Sequence, residues 1–118
     1  MSTDSLHSFQ PDLSTLYQLI GSDPEDVRMY MNASRKDVIT IYENVEIAHQ
    51  TLDANKLGKA IHQLNTMMKM YGQTHIADWE KEAKTAYAKG DHIIFRKKTQ
   101  CILNLLRQWL LWLDAKLE

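Results

Sequence analysis

The sequence predicts an all-α fold from three observations. Four Gly and two Pro among 118 residues make roughly 5%, against about 12% in average usage, so the chain has turn residues for only a handful of connections. Apolar side chains recur at intervals of three and four over long stretches, the period of a helix with one buried stripe. Helix start and stop signals, Asp or Asp-Pro before a stretch and Gly after it, punctuate the pattern.

The elements follow in order. Residues 1–10 are polar without a period and read as a flexible tail, which leaves residues 11–118 as one helical domain. Pro11 opens a short helix with the stripe Leu13, Leu16, Tyr17 and Ile20, and Gly21 ends it. Asp23 then caps a long second helix, with Pro24 at its first position and Glu25 and Asp26 facing the positive end of the dipole. Its inward residues are Val27, Tyr30, Met31, Val38, Ile41, Val45, Ala48 and Leu52. Asp53 caps a third helix that runs through Leu57, Ile61, Leu64, Met68 and Tyr71 to Gly72. Thr74 caps a fourth, with Ile76, Trp79, Ala83 and Tyr87 turned inward and Gly90 closing it, and Asp91 caps the last.

Connections this short make neighbouring helices antiparallel, which predicts an up-down-up-down four-helix bundle with the short first helix as a cap. The last helix is apolar on more than one side, from Ile102 to Leu113, yet it is too interrupted for a span of about 20 apolar residues. One of its faces is expected in the bundle and the other against Leu13, Leu16 and Tyr17. A docking patch for a partner or a second copy is the alternative.

Composition narrows the function. A net charge of −1, from 14 basic and 15 acidic residues, argues against nucleic acid, whose binding needs concentrated Lys and Arg. Cys101 is alone and there is no basic-plus-apolar leader pattern, which points to a reducing, cytoplasmic setting. No phosphate loop, dinucleotide fingerprint or paired Cys/His spacing occurs. Met67, Met68 and Met70 read as flexible core filler.

The third helix carries the most informative feature. At about 100° per residue, Gly58, Lys59, Asn65, Thr66, Asn55 and Lys69 all fall within about 60° of His62, and the apolar residues lie opposite. His62 therefore sits amid a polar, solvated stripe. An exposed imidazole is mostly neutral at pH 7 and offers a ring nitrogen as a nucleophile. Gly58 and Thr66 leave steric access, while Lys59, Lys69 and Asn65 offer charge and hydrogen bonds to a phosphoryl group. Spacing alone is equally met by an ordinary surface histidine. The other histidines compete weakly: Glu46 and His49 have the Glu-x-x-His spacing of di-iron bundles, but only one copy is present. His49 reads as a surface residue near Asp53, His75 and His92 as helix-terminal surface residues, and His7 as part of the tail.

The run from Ala60 to Gly72 resembles the signature of histidine-containing phosphotransfer domains, with Leu64 two residues after His62 and Gly72 ten after it. The resemblance extends from Leu13 to Asp114, and Leu19 to Glu25 is similar to the family's lead into its first long helix. It implies a five-helix fold, a phosphoacceptor at His62 and no ATP site. The chain would act as a phosphocarrier of two-component signal transduction, without enzymatic activity of its own. Asn65 stands where the family usually has Lys, and Thr66 where it has Gly. The position 22 residues after the histidine, Lys84 here, often contacts imidazole or phosphate in the family. The implied phosphoryl-stabilising set is Lys84, Lys69, Asn65 and Gln63. The implied partners are response-regulator receiver domains, which would bring Mg²⁺, and a hybrid histidine kinase. An apolar rim including Met70 would dock the receiver. The chain itself is expected to be a monomer with no cofactor, no metal, no nucleic acid and no membrane. Two other classes stay open: an interaction module that binds receivers without being phosphorylated, and a metal or ligand carrier.

Overall fold

The structure, a computed structural model, describes residues 9–118. Those residues form five helices: α1 (Ser14–Ile20), α2 (Pro24–Thr51), α3 (Ala54–Met70), α4 (His75–Ala88) and α5 (His92–Leu117). No strand occurs among the described residues. Residues 1–8 of the expected tail, His7 included, lie outside them.

Three of the expected caps are made by side chains. Asp23 accepts from the N–H groups of Glu25 and Asp26, Asp53 from that of Lys56, and Asp91 from that of Ile94, each satisfying donors that a helix start leaves open. Thr74 makes no such bond. Its backbone, at φ −106° and ψ −24°, is already helical, whereas a capping side chain needs an extended residue beneath it. The first helix begins at Ser14 rather than Pro11. Asp12 is held out of it, because its N–H donates to the Tyr71 carbonyl at 3.0 Å and its carboxylate accepts from Ser14. The Ser14 hydroxyl, then its N–H, hold that carboxyl below the usual Asp range.

Helices α2 to α5 pack as a closed ring, α2 on α3, α3 on α4, α4 on α5 and α5 on α2, with the α3/α4 side the sparsest. Polar contacts between α2 and α5 run in opposite order along the two helices: Arg28 reaches the Leu117 carbonyl, Arg35 pairs with Asp114, Arg107 donates to the Tyr42 hydroxyl and Arg96 to the Gln50 carbonyl. The molecule is a rod of 48 × 26 × 24 Å.

The core holds the expected stripes, with Val38, Ile41 and Val45 of α2, Leu57 and Leu64 of α3, Ile76 and Ala83 of α4, and Ile102 and Leu106 of α5 all fully or nearly buried, and it extends to Phe95 of α5 as well. Two expectations fail. Tyr87 is 41% exposed, because Ala86 takes the inward place after Trp79 and Ala83, and the Tyr87 ring lies instead against Phe95 and His92. The backbone of α1 runs beside α2 and α3 and not beside α5, and only the end of α5, at Lys116 and Leu117, shares a depression with Leu13 and Tyr17. The outer face of α5 meets Phe9, whose ring stacks on Trp109 with centroids 5.3 Å apart and stands edge-on to Trp112 at 5.6 Å.

Phe9 and Gln10 are thus docked rather than loose. The Phe9 N–H donates to Gln108 Oε1 at 2.7 Å. Buried Gln73 donates to the Gln10 carbonyl at 3.2 Å and to that of Tyr71 at 3.1 Å. Tyr71 sits at the centre of this aromatic cluster, fully buried, 5.0 Å from Trp109 and 6.0 Å from Trp112. Burial pushes its phenol up to about 12. Its hydroxyl and the Trp109 indole N–H find no hydrogen-bond partner among the described residues.

Candidate functional site

Helix α3 divides into two faces along its whole length. Leu57, Ala60, Ile61, Leu64, Met67 and Met68 are buried, while Lys59, His62, Gln63, Asn65, Thr66 and Lys69 are exposed. The His62 imidazole stands in solvent eight residues past the first residue of α3, since its neighbours one turn away on either side are small or polar.

A shallow depression along the α3/α4 seam gathers Ala54, Asn55, Gly58, Lys59, His62, Gln63 and Lys84. Lys84 is the only one of these from α4, and its ammonium bridges to Glu80 at 3.0 Å, one turn earlier on that helix. The ammonium also lies over Gly58: a β-carbon placed at residue 58 would stand 2.9 Å from Lys84 Nζ and 3.2 Å from its Cε. Gly58 is one turn before His62 on the same face of α3.

The remaining predicted site residues divide. Gln63 borders the His62 depression. Asn65 and Lys69 border a different one, with Thr15, Gly72, Gln73 and Thr74, toward the C-terminal end of α3. Thr66 is exposed one turn after His62. Met70 is 5% exposed, so it belongs to the core and not to a docking rim. The helical wheel puts Met70 near the boundary between faces.

One group, Glu80, was missed by the sequence reading. It stands four residues before Lys84, the spacing at which opposite charges meet on a helix, so the signal was present. The contact of Lys84 with Gly58 had no signal, because the two residues come from different helices.

His49 is not a free surface residue. It is half-buried, with Nδ1 2.6 Å from Thr99 Oγ1, and Thr99 is fully buried. The Thr99 hydroxyl donates to the Arg96 carbonyl at 3.1 Å, which assigns the proton of the His49 contact to Nδ1. Burial, then the Arg96 charge, pull the His49 pKa down, against a smaller opposing pull from Glu46. Among the described residues no three His, Cys, Asp or Glu side chains gather as metal ligands do, and no helix is long and apolar enough to cross a membrane.

Chemically, the depression combines a nucleophile in solvent, two ammonium groups, Lys59 and Lys84, and two carboxamides, Asn55 and Gln63. Such a set suits attack on an electrophilic centre bearing anionic oxygens, with an ammonium offsetting their charge. Comparison with family models, with curated proteins and with solved structures finds no match to this chain.

Proposed function

We propose that this chain is a histidine phosphotransfer module of a cytoplasmic two-component phosphorelay, a monomeric up-down-up-down antiparallel bundle capped by α1. His62 takes a phosphoryl group from the aspartyl phosphate of one receiver domain and gives it to another. In the forward step the ring nitrogen lone pair forms the N–P bond, the P–O bond to the aspartate breaks, and the carboxylate leaves. The reverse of these changes loads the second receiver. The receiver brings the Mg²⁺ and the carboxylates that hold the charge of the in-line transition state, and this chain brings the nucleophile and a docking surface. It carries no ATP site and acts as a phosphocarrier rather than an enzyme.

The observation that carries the reading is the shared depression of exposed His62 and Lys84. Lys84 supplies the cation that Asn65 does not, with Gln63 as a hydrogen-bond donor beside the histidine. Asn65 and Lys69 flank the site from the neighbouring depression, where their part is to steer rather than to touch.

Asn65 and Thr66, at positions where the resembled family has Lys and Gly, favour a second reading in which the bundle binds receivers without being phosphorylated. One experiment separates the two. The protein is incubated with a phosphorylated receiver and Mg²⁺, and acid-labile, base-stable phosphate is measured on it. Transfer to the wild type and none to His62→Gln is the expected result. Binding of receivers without any transfer gives the second reading, and neither binding nor transfer overturns both.

A further inference from the structure

Gly58 is an anomaly in α3, because a glycine inside a helix loses conformational entropy that alanine would not. Its usual justification is a close approach of two backbones. That is not what surrounds it: the nearest atoms to a β-carbon there are Lys84 Nζ, Lys84 Cε and, at 3.8 Å, Glu80 Oε2, all from side chains. The space a side chain would fill is occupied by the ammonium, and Glu80 closes it from the α4 side through the 3.0 Å ion pair. Lys84 is half-exposed on a flexible stem, and among the described residues this recess and Glu80 are the contacts that place its charge.

We infer that Gly58 is a positioning residue: its missing side chain is the seat in which Glu80 holds the Lys84 ammonium one helical turn from His62, where the charge meets the oxygens of the phosphoryl group. This rests on the phosphotransfer reading of His62. It also changes the meaning of the small residue there, which makes room for the chain's own cation rather than for the incoming partner. A methyl group at 58 meets only the far end of a flexible side chain, so it leaves the fold intact and moves the charge.

The test uses phosphoramidate, a small phosphoryl donor that needs no receiver, on the full chain and on Gly58→Ala, Lys84→Met and the double variant. His62 phosphorylation is followed by intact mass, and the proximity of the Lys84 ε-methylene to the Gly58 α-protons by NOE. The wild type is expected to show the NOE. Each single variant is expected to take up phosphate about tenfold more slowly, the effect of one lost contact to a charged group. The double variant is expected to be no slower than either, since both changes remove the same charge from the same place. Multiplying losses, a wild-type rate in Gly58→Ala, or an absent NOE in the wild type overturns the seat while leaving His62 as acceptor. Failure of the wild type to take phosphate at His62 from phosphoramidate and from a phosphorylated receiver alike removes the phosphotransfer reading, and the role given to the seat with it, even where the NOE is seen.

Discussion

His49 Nδ1 and Thr99 Oγ1 meet at 2.6 Å and join the C-terminal end of α2 to the first turns of α5. Burial of the ring, then the charge of Arg96, whose side chain donates to the carbonyls of His49 and Gln50, disfavour its protonated form, against a smaller opposing pull from Glu46. The folded state therefore binds a proton at His49 less readily than the unfolded chain does. Stability from this group is complete above the unfolded His value of about 6.5 and is lost as pH falls through that value toward the lower folded one. Urea unfolding of wild type and His49→Gln between pH 5 and 8, a range of roughly one and a half units about that value, is expected to show a decline at the acid end that is shallower in the variant. Parallel curves would count against the assignment.

Gly58→Ala is expected to raise folding stability by about 0.5 kcal/mol, a gain of roughly 0.5–1 kcal/mol from helix propensity less a few tenths for a disturbed, exposed Lys84–Glu80 pair. The check is the urea midpoint at unchanged m. A loss above about 1 kcal/mol would mean that the methyl group meets something less yielding than a lysine tip.

How much of this was legible in the sequence differs from element to element. The starts at Asp23, Asp53 and Asp91 were readable because a cap is local, one carboxylate and the N–H groups two or three residues on. Thr74 and Pro11 misled because the residue type was right and the backbone was decided by packing: Thr74 is already helical, and Asp12 is committed to Tyr71. Periodicity found the apolar stripes but is blind to buried polar residues, so Ser34, Gln73 and Thr99 were invisible. The exposure of His62 followed from its own helix. The place of Lys84 beside it came only from a family resemblance, and the seat at Gly58 needed two helices laid side by side.

Capping can be tested by contrast. Asp91→Ala removes the acceptor of the Ile94 N–H, bonded at 3.0 Å, and is expected to cost about 1 kcal/mol. Thr74→Ala removes no cap bond and is expected to stay within about 0.5 kcal/mol of wild type. Equal losses in thermal unfolding would contradict the difference between the two helix starts.

Gly72 is the opposite case to Gly58. It sits at φ +66°, and a β-carbon there would stand 2.7 Å from Asp12 Cβ and 3.1 Å from the Asp12 carbonyl oxygen. Strain and a collision with backbone act together, so Gly72→Ala is expected to cost more than about 1 kcal/mol. It should also loosen residues 9–12, read as faster amide exchange at Phe9 and Asp12, whose N–H groups are bonded to Gln108 and Tyr71. A fully stable variant with unchanged exchange would refute the tight approach.

The uneven ring of helices gives the rod something like a spine and a fore-edge. Helices α2 and α5 are densely joined along their length, while α3 and α4 meet sparsely, so the two hairpins resemble the covers of a book. His62 is printed on one cover and Lys84 on the other. Small openings of the fore-edge, the least joined side of the ring, would part the nucleophile from its cation. Anything that clasps both covers would set the gap between them.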